Sequence, residues 1–216
     1  MEPWVTTDEL IRVLSNDIGR RPLAPAEGVA VAFVPALAFA ALGFFAFVGL
    51  RPDVGAALLT WQFGFKFVVT TLLVATAIHG FYRSLQPGSR RRYVEVAFLV
   101  APLLLLAGVV VELASLPSSN WAMTAIGKNA MLCLTIIPAL GVIPLLVMLL
   151  AAKVGAPTRP ALTGLLAGLA AGGIAATFYA ANCTDDSPLF VLTWYPLAIG
   201  ALGLAGSAIG PLLLKW

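Results

Sequence analysis

The sequence predicts an all-α, polytopic membrane protein with six transmembrane helices and a short amphipathic N-terminal helix. The chain has 216 residues, of which 60% are hydrophobic and 11% are charged. Soluble proteins are about 45–50% apolar and about 25% charged. Six apolar segments also reach the roughly 20 residues that a helix needs to cross the bilayer. These observations exclude a soluble enzyme, a nucleic-acid-binding domain and a secreted disulfide scaffold, so the lipid bilayer is an expected partner and nucleic acid is not.

The apolar segments are separated by short connections that hold most of the charged residues. We predict a cytoplasmic segment over residues 1–27 and a membrane domain over residues 28–216. Helices are expected because a β-barrel would show short alternating segments instead. The predicted spans are 28–50, 63–82, 94–116, 131–152, 161–181 and 189–214.

Basic residues are distributed unequally between the two sides of the predicted spans. Ten of the 13 lysines and arginines fall on one side, which the positive-inside rule places in the cytoplasm. We therefore expect a multi-pass protein of a bacterial inner membrane with both termini in the cytoplasm. The triplet of Arg90, Arg91 and Arg92 either enforces this topology alone or also contacts an acidic partner.

The first helix is predicted from a capping-box pattern followed by apolar residues at helical spacing. Its apolar stripe consists of Leu10, Ile11 and Leu14, and its first turn carries Asp8 and Glu9. One interpretation is that this stripe docks on the membrane surface or on the protein's own loops. Because membrane-surface helices are usually basic, an acidic helix better fits a protein partner with an apolar groove and basic residues.

Four ionisable residues fall near the ends of the second and third predicted spans. Lys66 and Glu112 lie toward the outer end, where Lys66 is expected to snorkel or to pair with Glu112. His79 and Glu95 lie toward the inner end, where they are candidates for an interaction or for a pH-sensitive group. No acidic residue is expected at mid-membrane, so a proton-coupled transporter would lack its usual relay.

The only two cysteines are expected at the same outer face. Cys133 lies near the start of the fourth span and Cys183 lies in the fifth loop, followed by Asp185 and Asp186. The alternatives are a structural disulfide, two unrelated small residues, or a thiol switch in which oxidation or a soft metal ion changes helix packing. Two thiolates make an incomplete metal site, to which the aspartates are candidate oxygen ligands unless they are solvated loop acids. No cofactor is expected beyond a transient heavy-metal ion.

The fifth and sixth spans carry glycines at four-residue spacing. Gly164, Gly168 and Gly172 form two successive G-x-x-x-G steps, and Gly206 with Gly210 forms another. Such small residues allow two helix backbones to approach closely. We therefore expect these two spans to pack tightly against each other.

A set of residues spread over the whole chain matches one known family. The residues are Thr7–Ile11 with Leu14 and Asp17, Arg21–Pro22, Gly49–Asp53, Cys133, Gly155–Pro157, Arg159–Pro160, Cys183, Trp194 and the closing Leu213–Trp216. With the six spans, they resemble the bacterial negative regulators of sigma F, which are membrane anti-sigma factors. One departure is Asn182, which precedes the second cysteine where the family often has histidine.

The resemblance implies a function without catalysis. It implies that the cytoplasmic face binds an extracytoplasmic-function sigma factor, that the outer cysteines take part in sensing heavy metals or oxidative stress, and that this signal releases the sigma factor. Two other functions fit the sequence less well. A small membrane transporter or channel lacks mid-membrane polar residues, and a quinone-linked disulfide-forming enzyme lacks a C-x-x-C motif and a second cysteine pair. The sequence predicts no oligomeric state.

Overall fold

The fold is known from a computed structural model that describes residues 6–16, 25–86, 96–155 and 157–214. Within these ranges six helices are long and apolar enough to cross a membrane, and no strand occurs. The predicted all-α, six-span fold class is thereby confirmed. The main helices are α1 (Thr7–Asn16), α2 (Pro25–Phe47), α3 (Val54–Ala57), α4 (Trp61–Ser84), α5 (Val100–Ser115), α6 (Trp121–Ile126), α7 (Ala130–Ala152), α8 (Pro160–Ala180) and α9 (Pro188–Leu213).

The spanning helices are α2, α4, α5, α7, α8 and α9. The apolar stretch that contains α5 begins earlier, at Val96. The short helices α3 and α6 lie in the connections that follow α2 and α5. The division into a cytoplasmic segment and a membrane domain stays a prediction, and residues 17–24 at its boundary lie outside the described ranges.

Helix α1 presents an apolar surface that is exposed. The backbone N–H of Leu10 donates to the carbonyl of Thr6 at 3.0 Å, which places Thr6 immediately before the helix. Leu10 is 52% exposed and Ile11 is 57% exposed, and the acidic side chains of the first turn are exposed as well. Leu10 and Ile11 of the predicted stripe therefore remain available to a partner.

Helix α8 lies at the centre of the bundle and packs against α9, α4 and α7. It is the most buried of the spans, because small residues along its length let the neighbouring helices approach. A side chain at Gly164 would overlap the carbonyl of Gly206, and one at Gly206 would overlap the carbonyl of Gly164. A Cβ at Gly168 would lie 2.7 Å from the Cα of Gly203. The two helices thus touch backbone to backbone, as the glycine spacing predicts.

Replacing Gly206 by alanine should separate α8 from α9. The added methyl group has no room, so we expect Gly206→Ala to lower the free energy of unfolding by about 1–3 kcal/mol. The matched control is Gly200→Ala on the same helix, where a Cβ meets nothing within 4 Å. Thermal unfolding in detergent would check both variants, and equal stability would contradict the close contact.

Candidate functional site

One loop joins α8 to α9 and contains the second cysteine. We call residues 181–187 the cysteine loop. The carbonyl of Cys183 accepts hydrogen bonds from Lys66 Nζ at 2.9 Å and from Arg51 Nη1 at 3.3 Å. Asn182 Nδ2 donates to the carbonyl of Gly49 at 3.0 Å, and Arg51 N donates to the carbonyl of Ala181 at 3.2 Å. The loop is therefore fixed to α4 and to the segment that follows α2.

A buried ion network lies beneath this loop. Lys66 Nζ is 2.6 Å from one carboxylate oxygen of Asp186, and Arg51 Nη1 is 2.9 Å from the other. Arg51 also pairs with Asp53 at 2.7 Å, and its hydrogen bonds hold the pKa of that carboxyl below its usual value. Both cations face the ring of Phe63. Lys66 has no solvent exposure, so its charge is balanced inside the protein by Asp186.

The two predictions made for Lys66 are wrong. It does not snorkel, because its side chain is fully buried, and its ionic partner is Asp186 rather than Glu112. The physical reason is that the cysteine loop folds back over the end of α4 and brings an acid closer than α5 does. Glu112 instead accepts hydrogen bonds from Ser187 Oγ at 2.7 Å and from Leu189 N at 3.0 Å.

The acidic residues of this region also satisfy the N-termini of two helices. Ser187 Oγ accepts from Leu189 N and Phe190 N at the start of α9, where Glu112 adds a second acceptor. Asp185 Oδ2 accepts from Lys128 N at 2.9 Å and from Asn129 N at 2.8 Å, just before α7. Carboxylates are favoured there because the first N–H groups of a helix lack partners within it.

The two cysteines lie together in one buried cluster. Cys133, in the first turns of α7, and Cys183 are both buried free thiols. They share this cluster with the rings of Tyr179 and Tyr195, whose centroids are 6.4 Å apart. The neighbouring Cys133 thiol and the charge of Lys66 lower the pKa of the Cys183 thiol, although burial opposes this effect. The arrangement places two free thiols in the same buried cluster.

Neither aspartate of the loop is a solvated acid. Asp185 binds the start of α7 and Asp186 binds two cations, so the oxygens proposed as metal ligands are engaged elsewhere. Among the described residues, no group of three or more histidine, cysteine, aspartate or glutamate side chains is arranged to hold a metal ion. The thiol pair is thus the only part of the predicted metal site that the structure brings together in the described ranges.

Comparison with known proteins identifies the family. The profile of the family described as "Negative regulator of sigma F" matches residues 14–216. The chain belongs to this family. It is 35% identical over 214 residues to "Anti-sigma-F factor NrsF" of Caulobacter vibrioides (strain NA1000 / CB15N), covering 97% of this chain and 99% of the relative. It is 32% identical over 216 residues to "Probable anti-sigma-F factor NrsF" of Azospira oryzae (strain ATCC BAA-33 / DSM 13638 / PS), with the same coverage. No solved structure matches the chain.

In this member of the negative regulator of sigma F family, the other predicted site residues lie apart from the cysteine loop or beyond the described ranges. Arg90, Arg91 and Arg92 fall in residues 87–95, which are not described, as does Glu95, the suggested neighbour of His79. His79 itself is exposed on α4. Leu14 belongs to α1, but its side chain is outside the described part, whereas Asp8, Glu9, Leu10 and Ile11 are exposed there.

Sequence reasoning missed several groups at this family member's cysteine loop. Tyr179 and Tyr195 have no predicted role, and a tyrosine in an apolar span gives no sequence signal that separates a site residue from a packing residue. Arg51 was predicted to lie on the outer side and within the family-matching stretch Gly49–Asp53, with no role at a site. Its position in Arg51-Pro52-Asp53, directly after a span, was the available signal for a fixed ion pair.

Removing the carboxylate of Asp186 should destabilise the ion network. Asp186→Asn leaves the fully buried Lys66 without its counter-charge, so we expect a loss of about 3 kcal/mol in the free energy of unfolding. The matched control is Asp53→Asn, which removes an Arg51 partner that is 54% exposed, and whose effect should be smaller. Thermal unfolding of both variants tests this ranking, and the reverse order would refute it.

Proposed function

We propose that this protein is an anti-sigma factor of the bacterial inner membrane. In this proposal its cytoplasmic face holds an extracytoplasmic-function sigma factor, and a thiol reaction at its outer face releases that factor. The observation that carries the proposal is the cysteine loop, whose buried Cys183 shares a cluster with Cys133 and whose backbone is bonded to Arg51 and Lys66. Family membership supports the sigma-factor partner, since the curated relatives are named anti-sigma-F factors.

Helix α1 is the proposed binding surface for the sigma factor. Its exposed Leu10 and Ile11 form the kind of apolar face that an amphipathic helix inserts into a groove. The acidic first turn, with Asp8 and Glu9, favours a groove bordered by basic residues. A ten-residue helix is marginally stable in water by itself, so a partner would also stabilise it. The charged loops, including Arg90–Arg92, would complete the cytoplasmic surface.

The proposed signal acts on Cys133 and Cys183. Oxidation joins the two sulfurs in a disulfide and removes two electrons and two protons, whereas a soft metal ion would bind both thiolates. Either event changes the position of the cysteine loop relative to α7. Because the loop is bonded to Arg51, Lys66 and other groups, the change would spread to the neighbouring helices.

Regulation is favoured over transport and catalysis by the placement of charge. In the described spans, the charged side chains lie at helix ends, as Lys66 and Glu112 do at the end that carries the cysteine loop. Lys66 is bonded to the cysteine loop, and Glu112 is bonded to that loop and to the start of α9. A proton or ion pathway would need such groups further along the spans. We therefore propose a regulator with no catalytic step of its own.

The proposed binding surface can be tested by reversing its polarity. We expect Leu10→Asp combined with Ile11→Asp to reduce co-purification of the sigma factor at least tenfold, because two carboxylates would have to be desolvated in an apolar groove. The control is Arg12→Glu, which places a similar charge on the opposite face of the same helix. Quantitative pull-down from membranes measures both. Undiminished co-purification of the double variant would refute this surface.

The proposed signal can be tested on the purified complex with the sigma factor. Treatment with a hydroperoxide or with cadmium ion should release the sigma factor from the native protein. Cys133→Ser and Cys183→Ser should each retain it, because one thiol cannot form the disulfide or the two-thiolate metal site. Ala176→Ser is the control, since it places a hydroxyl in the same buried cluster while keeping both thiols. Release from the cysteine variants at the native rate would rule out the thiol signal.

A further inference from the structure

Two tyrosine hydroxyl groups are buried beside the cysteines without a hydrogen-bond partner. The side chains of Tyr179 and Tyr195 are 0% and 2% exposed, and neither hydroxyl forms a hydrogen bond. A buried hydroxyl without a partner costs about 1–3 kcal/mol. Two such groups in one cluster require an explanation, because buried polar atoms are nearly always bonded.

Both hydroxyls are close to the thiols. Tyr179 interacts electrostatically with Cys133 and Cys183, and Tyr195 interacts most strongly with Cys183. Any hydrogen bond from these hydroxyls to sulfur is weak, because the contacts fall short of good hydrogen-bond geometry and a thiol is a weak acceptor. The reduced cluster therefore contains two strong donors and no strong acceptor for them.

An acceptor would appear if the sulfur of Cys183 gained an oxygen atom. We propose that Tyr179 and Tyr195 are positioning residues that donate hydrogen bonds to the sulfenic acid oxygen formed on Cys183 by a hydroperoxide. This inference rests on the proposed role of the thiols as the sensor and names the chemistry of that same site. In the resting protein the two hydroxyls have no strong acceptor, and they gain one when the sulfenic acid forms.

The reaction balances with a hydroperoxide as the oxidant. The sulfur of Cys183 attacks the peroxide oxygen, an S–O bond forms and the O–O bond breaks. The thiol proton ends on the leaving oxygen, which departs as an alcohol or as water. The thiol of Cys133 then attacks the oxidised sulfur, and water leaves as the disulfide forms. Sulfur is oxidised in the first step and the peroxide is reduced.

Lys66 favours Cys183 over Cys133 as the sulfur that is oxidised first. Its ammonium group donates to the carbonyl of Cys183 at 2.9 Å, and the Cys133 thiol and this charge both lower the pKa of the Cys183 thiol, which favours the reactive thiolate. Both hydroxyls lie close to this thiol, and Cys133 interacts with them as well. The carbonyl of Cys183 is also fixed by Lys66 and Arg51, which restricts where its sulfur can lie. The hydroperoxide would enter through local opening of the loop, since both thiols are buried in the closed form.

The first measurement is trapping of the sulfenic acid in the Cys133→Ser full-length protein, where the second thiol cannot react onward. After addition of hydrogen peroxide, a dimedone-type reagent labels the oxidised Cys183, and mass spectrometry follows the yield. We expect Tyr195→Phe and Tyr179→Phe each to slow this labelling on the order of tenfold, because each removes one donor. Tyr82→Phe, in the other core cluster, should leave it unchanged.

The second measurement is the thermal stability of the reduced protein with both cysteines present. Because the hydroxyls have no partner in the resting cluster, both phenylalanine variants should be as stable as the native protein or more stable. Lower stability together with native labelling rates would overturn the proposal and indicate a purely structural role. Slower labelling in a protein that never releases a sigma factor would instead refute the proposed function while leaving this chemistry intact.

Discussion

The site depends on the ion pair between Lys66 and Asp186. A cation with no solvent exposure is tolerated inside a protein only with a counter-charge and further hydrogen bonds, and here the cysteine loop supplies both. The loop must therefore fold back over the end of α4 instead of extending into solvent. Burial of Cys183 follows from this position. The bonds of the loop to Lys66 and to the start of α7 hold it in one position, and this position brings the Cys183 thiol close to Cys133.

The remaining polar groups of the loop complete the ends of the neighbouring helices. Asp185 binds the N–H groups before α7, and Ser187 with Glu112 binds those that begin α9. These N–H groups have no partner within their own helices, and in an apolar bundle few other acceptors exist. Both aspartates of the cysteine loop therefore stabilise the fold: Asp185 binds the start of α7, and Asp186 pairs with Lys66 and Arg51. The few charged residues around the cysteine loop form ion pairs or accept hydrogen bonds at the starts of helices.

The sequence was sufficient to predict the fold class, because helix length and apolarity alone determine which segments can cross a bilayer. Glycine spacing was equally informative, since only small residues allow the contact between Gly164 and Gly206. Pairing at the helix ends was not predictable in the same way. Counting residues places Lys66 and Glu112 at the same depth, but it does not reveal which helices are neighbours or where a connecting loop folds. The partner came from family resemblance, because a membrane bundle by itself does not specify what it binds.

The tyrosines show a second limit of sequence reasoning. A tyrosine in an apolar span has the same pattern whether its hydroxyl is bonded or not, and only the three-dimensional arrangement distinguishes these cases. The absence of a partner for Tyr179 and Tyr195 is therefore information that hydropathy and spacing do not contain. It bears on function because a resting structure with unused donors is less stable than one without them. Selection for stability alone would favour phenylalanine at both positions.

The contacts of the cysteine loop also indicate how a change there would reach the opposite end of α2. The contact between α8 and α9 is made by backbone atoms, so these helices are expected to move together rather than to slide past each other. The loop between them is bonded to the segment after α2 through Gly49 and Arg51. Helix α2 has 23 residues, about 35 Å at 1.5 Å per residue, and its opposite end is where the chain arrives from α1. Of the helices fixed to the loop, α2 is the one that leads directly to α1. A displacement of the loop is therefore expected to reach the proposed sigma-factor surface along α2, with α8 and α9 serving as the rigid support.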